Sequence, residues 1–252
     1  MMNRYSRKTV FLIFFLIAGC SSVSRYTYNY DVYTFLDAYP ARASEKSVES
    51  GSEVQKRTTC CDAALLGAKY ALIKRTSEAR LSYSETGLKI DFSSTNRLAF
   101  SPDTKCRSRK NQFEECYCVL DDKIQSPDLQ KELENAKTDK GWISPNTFLI
   151  TASGKASSNA AERRSGAMME TTCISAAEDT AIRAVLEDVI RKTKTESFSD
   201  VYFRLPHSYV KSCEPDPDSK EFDKCTCRFA FFEKGLYSRI EKAVTQKPLD
   251  RK

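Results

Sequence analysis

The sequence predicts an α+β protein of two tandem homologous β-α-β-β-α domains, each a long helix packed on a small antiparallel sheet with disulfides. Three observations predict it: self-similarity at an offset of 113 residues, a stripe of cysteine, glycine and alanine at helical spacing, and a C-x-C pair inside a strictly alternating strand. At that offset Thr34-Phe35-Leu36 meets Thr147-Phe148-Leu149, and Ala43-Ser44 meets Ala156-Ser157. Without a gap, Thr58-Thr59-Cys60 then meets Thr171-Thr172-Cys173, Ala63-Ala64 meets Ala176-Ala177, Ala68 meets Ala181 and Ala71 meets Ala184. After a slip of register Cys106 answers Cys213, and Cys116-Tyr117-Cys118 answers Cys225-Thr226-Cys227. Chance produces one such triplet, not an ordered series. The domains are read as 31–138 and 139–252, with Asp139-Lys140-Gly141 as their junction.

Each element has a local reason. A strand ends near Ala38 or Ala152, and a cap at Ser44 or Ser157-Ser158 opens a long helix. On it Cys60, Ala64, Gly67 and Ala71 share a face, as do Cys173, Ala177 and Ala184, and small side chains let a helix lie close to a sheet. Two strands follow: Gly87 to Phe92 and Phe113 to Leu120 in the first half, Asp200 to Tyr209 and Phe222 to Phe232 in the second. Along the last strand Cys225, Cys227, Phe229 and Phe231 alternate with Thr226, Arg228 and Ala230, so both cysteines point to the core. Short helices, Asp128 to Ala136 and Leu236 to Val244, close the units.

The first residues are not part of this architecture. Residues 1–19 carry Arg4, Arg7 and Lys8, then the apolar run Val10 to Ile17, then small residues, the pattern of a secretory signal. The run is shorter than the roughly 20 residues that span a bilayer. Ile17-Ala18-Gly19-Cys20 resembles the lipobox of bacterial lipoproteins, which implies cleavage before Cys20 and diacylation of its thiol with palmitate-like chains. Two or more acyl chains anchor a protein stably where one does not. Ser21 and Ser22 carry no acidic retention signal, so the outer membrane is the expected destination, with the leaflet left open. Residues 20–30 form a short lipidated tether, with Tyr26, Tyr28 and Tyr30 alternating into an early strand. Loss of the three leader cations takes the net charge from +6 to +3, too mild for a nucleic-acid partner.

Of ten cysteines, nine remain beyond Cys20, in a compartment where disulfides persist. Four per repeat allow three full pairings. Cys106 and Cys213 fall where the loop before the last strand begins, and Cys116 and Cys225 where that strand starts, so hairpin-closing bonds Cys106–Cys116 and Cys213–Cys225 are the short path. The helix cysteines then face the second member, giving Cys60–Cys118 and Cys173–Cys227. Each bond stabilises by about 2 to 4 kcal/mol. Cys61 matches Ile174 and is left unpaired.

Catalytic signatures are scarce, and the expectation is a protein that is not an enzyme and takes no cofactor. The single histidine, His207, has no counterpart in the first half and reads as a surface residue. There is no P-loop, dinucleotide fingerprint or H-E-x-x-H. Asp121-Asp122 and Asp216-Pro217-Asp218 read as solvated turns, and the basic stretch Lys105 to Lys110 as a solvated loop. The competing reading is a periplasmic thiol or metal-dependent enzyme using Cys60, Cys61, Cys116 and Cys118, because closely spaced thiolates bind zinc. The oxidising compartment and the even cysteine set without Cys61 weigh against it.

Phe148-Leu149-Ile150-Thr151-Ala152-Ser153-Gly154-Lys155-Ala156-Ser157, followed by an alanine-rich helix through Ile190, resembles the FlgP-type small outer-membrane lipoproteins. The resemblance spans about 45 residues of the second half, and in the first Pro40-Ala41 replaces Ser153-Gly154. It implies a helix on a short sheet, a lipid anchor and a part in outer-membrane assemblies such as flagellar basal-disk structures. It implies no catalytic residues. The expected role is structural or binding, with the membrane and a protein partner or second copy as the partners.

Overall fold

The computed structural model describes residues 28–34, 38–76, 78–92, 104–120, 126–218 and 221–245. The leader 1–19, the lipidation residue Cys20 and the tether up to residue 27 lie outside the described residues, as do Asp121 and Asp122. The chain runs β1 (Tyr28–Thr34), β2 (Ala38–Arg42), α1 (Glu45–Glu49), α2 (Glu53–Thr76), β3 (Glu78–Ser84), β4 (Gly87–Phe92), β5 (Thr104–Lys110), β6 (Glu115–Leu120) and α3 (Pro127–Glu134). It continues with β7 (Gly141–Ser144), β8 (Thr147–Lys155), α4 (Ser158–Glu162), α5 (Gly166–Thr193), β9 (Phe198–Arg204), β10 (Ser208–Pro215), β11 (Lys224–Phe232) and α6 (Leu236–Thr245). The class is α+β, with antiparallel pairing in all three sheets.

The sheets are ordered β1-β10-β11-β8-β7, β2-β6-β5 and β4-β3-β9. Among the described residues strand pairing crosses residue 138 twice, since β1 pairs with β10 and β3 pairs with β9. Helix α5 is the centre of the molecule. It packs on β8 and β11 of the five-stranded sheet, and its N-terminal half also meets β2. Its C-terminal half buries Ile182, Val185, Leu186 and Val189 in one core with Ala79, Leu81 and Leu88 of the third sheet. Helix α2 covers the opposite face of the β2-β6-β5 sheet, so that sheet lies between two helices. Four consecutive buried residues, Ala38 to Ala41, are the expected mark of a strand covered on both faces. Helix α3 lies on the outer face of the five-stranded sheet, where Leu129 meets Leu149, Tyr209 and Ala230.

Several expected elements need correction. The long helix after Ser44 is two helices, because Gly51 takes φ +70 and breaks the ladder between α1 and α2. Arg164 at φ +47 divides α4 from α5 in the same way. The strand read as Asp200 to Tyr209 is divided at Leu205-Pro206-His207 into β9 and β10, as Pro206 has no N–H to give a ladder. Lys105 to Lys110 is strand β5 rather than a loop. Its charges alternate with Cys106 and Ser108, and charged side chains suit the edge of a sheet.

The close helix–sheet approach has a direct cause. A Cβ on Gly154 of β8 would stand 2.0 Å from the Cys173 carbonyl and 2.6 Å from the Ala177 nitrogen, so only glycine fits there. Both helix entrances carry the same contact: the Ser44 N–H donates to Thr59 Oγ1 at 3.2 Å, and the Ser157 N–H donates to Thr172 Oγ1 at 3.1 Å.

Candidate functional site

Nine cysteines outline the most chemically distinctive part of the molecule. The alternation of β11 holds: Cys225, Cys227, Phe229 and Phe231 are all buried toward α5. In β6 Cys116 and Cys118 are buried toward α2, while Glu115 on the other face accepts from the Ala167 N–H at 3.4 Å. Both helix cysteines, Cys60 and Cys173, are fully buried beneath these strands.

The bonds differ from the expected set. Cys60 bonds to Cys116 and Cys173 to Cys225, with Cα atoms 6.1 and 6.0 Å apart, so each helix cysteine takes the first member of its C-x-C and not Cys118 or Cys227. Cys213 bonds to Cys227, its direct cross-strand neighbour, and not to Cys225. The expectation failed because Cys106 and Cys213 lie inside β5 and β10 rather than at the mouth of a hairpin loop. Register then sets each opposite the second C-x-C cysteine, as Cys106 opposite Cys118 and Cys213 opposite Cys227. Cys61 is not left over either: it bonds to Cys106, with Cα atoms 5.8 Å apart. Cys118 takes no part in the four bonds, and its sulfur donates to the Cys61 carbonyl at 3.6 Å.

The sulfurs of Cys61, Cys106 and Cys116 lie within 4.8 Å of one another. All three are in disulfides, and a disulfide sulfur is no metal ligand; thiolate coordination here requires reduction first. The competing enzyme set is gathered in space, since Cys60, Cys61, Cys116 and Cys118 all sit between α2 and β6, but Cys60, Cys61 and Cys116 are held in disulfides.

Polar contacts tie the two halves together. Arg109 of β5 forms a buried ion pair with Glu170 of α5, the two side chains being 7% and 1% exposed. Thr171 Oγ1 donates to the Pro40 carbonyl at 2.8 Å. Sequence reasoning missed Arg109 because a basic run reads as solvated, and only the period-two spacing inside it signals a strand. At the junction Glu132 of α3 accepts from Ser144 Oγ, from Thr147 Oγ1 and, at 2.7 Å, from Asn146 Nδ2. Burial pushes the Glu132 carboxyl up, but these three bonds outweigh it and leave it below the ordinary value.

The remaining candidates among the described residues have local partners of their own. His207 is half-buried in the β9–β10 connection, where its carbonyl accepts from the Phe232 N–H at 3.3 Å. Asp216 caps its own turn, with Oδ1 3.0 Å from the Asp218 N–H. A groove of about 1080 Å³ opens on the outer face of the five-stranded sheet beside α3, lined among others by Tyr33, Lys137, Thr151, Lys211 and Arg228. Burial pushes the Tyr33 phenol above its ordinary value, with Arg228 opposing. Lys211 Nζ stands 6.0 Å from the Tyr33 ring centroid. Among the described residues no helix is long and apolar enough to cross a membrane. No family model, no curated protein and no solved structure matches this chain.

Proposed function

We propose that this chain is an exported bacterial lipoprotein, held in the outer membrane by acyl chains on Cys20, with a structural or binding role rather than a catalytic one. The observation that carries the reading is Ile17-Ala18-Gly19-Cys20 behind a basic start and a short apolar run. Four disulfides support it, because such bonds persist in exported proteins and are rare in the reducing cytosol.

The same reading takes the two halves as homologous. Its support is recurring local geometry: 113 residues apart, Ser44 and Ser157 cap α1 and α4 and Gly51 and Arg164 make the left-handed breaks, and after the slip of register Cys60–Cys116 answers Cys173–Cys225. A duplicated scaffold presenting a wide mixed-charge groove suits an envelope protein partner or a second copy, in line with the outer-membrane assemblies that the FlgP-type resemblance implies. The test is detergent-phase partitioning of the full chain expressed in a double-membraned bacterium. Wild type enters the detergent phase and Cys20→Ala stays in the aqueous phase; an aqueous wild type overturns the reading. Protease shaving of intact cells then reports which side of the membrane the folded part faces.

A further inference from the structure

Two disulfides of the first half lie side by side, one enclosed in the core and one nearer its edge. The Cys60–Cys116 bond fastens α2 to β6, and both of its residues are 0% exposed. The Cys61–Cys106 bond joins α2 to the edge strand β5, and both of its residues are half-buried. The sulfurs of Cys61, Cys106 and Cys116 stand within 4.8 Å of one another, so both sulfurs of the outer bond lie against one end of the inner bond. Among the described residues the second half gathers no such trio. There Ile174 stands where the first half has Cys61, and the inner bond Cys173–Cys225 is as enclosed, its residues being 0% and 1% exposed.

We propose that the Cys61–Cys106 disulfide is the entry site of a two-bond relay, through which a soluble dithiol donor reduces the buried Cys60–Cys116 bond. Exchange needs a thiolate in contact with a disulfide sulfur, and a solvent-borne thiol reaches the half-buried pair before the enclosed one. The dithiol first reduces Cys61–Cys106: its own two sulfurs close into a disulfide, and its two protons pass to Cys61 and Cys106. The Cys106 thiolate then attacks Sγ of Cys116, a Cys106–Cys116 bond forms, and Cys60 leaves as a thiolate that takes up the proton Cys106 released. The Cys61 thiolate finally attacks Sγ of Cys106, which remakes the Cys61–Cys106 bond and frees Cys116 to take up the proton from Cys61. In balance one dithiol is oxidised, one buried disulfide becomes two thiols, and the outer bond is restored. The relay thus unfastens α2 from β6 while Cys61–Cys106 still ties the helix to β5.

The relay goes beyond the lipoprotein reading, and Cys20 takes no part in it, so its failure leaves the partitioning result intact. The test uses the full chain extracted from membranes in detergent, treated under native conditions with limiting dithiothreitol, sampled over time into N-ethylmaleimide, quenched in acid and mapped by peptide mass spectrometry. Wild type is expected to show label on Cys60 and Cys116 ahead of Cys173 and Cys225, in molecules carrying a remade Cys61–Cys106 bond. Equal labelling rates for the two inner bonds overturn the proposal, as does a Cys60–Cys116 bond that stays closed after Cys61–Cys106 has opened. Replacing the outer pair together, as Cys61→Ala with Cys106→Ala, removes the entry site without orphaning a thiol. In that variant the lead of Cys60 and Cys116 over Cys173 and Cys225 is expected to be lost; a lead that persists also overturns the proposal.

Discussion

Helices α2 and α5 begin with the same capped turn, the same left-handed break and the same bond to a strand beneath, yet they end in different environments. Helix α5 lies between two layers of sheet and buries twelve residues, from Ala167 to Ile190. Helix α2 packs on the β2-β6-β5 sheet, and among its described side chains Val54 and Leu66 are 75% and 68% exposed. The comparison teaches that a stripe of small residues sets how closely a helix meets its own sheet. What covers its other face is decided by the rest of the chain.

The largest contrast is expected at equivalent helix positions, Glu170 on α5 and Arg57 on α2. Glu170→Ala leaves Arg109 charged and buried, so urea denaturation is expected to show a loss of about 3 to 5 kcal/mol. Replacing the pair together, as Arg109→Met with Glu170→Leu, restores most of it. Arg57→Ala removes a contact in which the guanidinium stands 5.5 Å from the Phe113 ring centroid, worth about 0.5 to 1 kcal/mol at an exposed site. Equal losses at the two positions break the comparison.

The next contrast is between Gly154 and Ala41, which face Cys225 and Cys116 across their strands. Gly154→Ala drives a methyl group into the α5 backbone and is expected to cost about 3 kcal/mol. Ala41→Gly, where a side chain is already accommodated, costs about 1 kcal/mol. Thermal melting of the two variants reads the order directly.

How much of this was legible varies with the physics that decides each part. The closing helices, the Gly87–Phe92 strand and the facing of Cys225 and Cys227 rest on local periodicity and emerge from sequence alone. The helix cysteines were placed in the core for the same reason. Their partners were not legible, because pairing depends on strand register, and β5 and β10 were hidden by a basic run and by Pro206. Neither Arg109–Glu170 nor the β1–β10 and β3–β9 pairs leave a local trace, since each joins residues distant in the chain.

A smaller effect is expected at the junction between the halves. The folded Glu132 carboxyl titrates below its ordinary value of 4.5, so its contribution to stability is full above that value and is lost as pH falls through the folded one. Glu132→Gln is expected to cost about 2 kcal/mol at neutral pH and to flatten the acid limb of stability against pH. An unchanged acid limb removes Glu132 from the forces that close the junction.

The most direct test of the shared architecture is a disulfide map of Cys61→Ile, which gives the first half the residue that the second half carries at Ile174. Two halves built alike predict Cys60–Cys116 unchanged and Cys106 bonded to Cys118, matching Cys213–Cys227. Cys60–Cys116 intact with Cys106 and Cys118 both recovered as alkylated thiols would contradict the account.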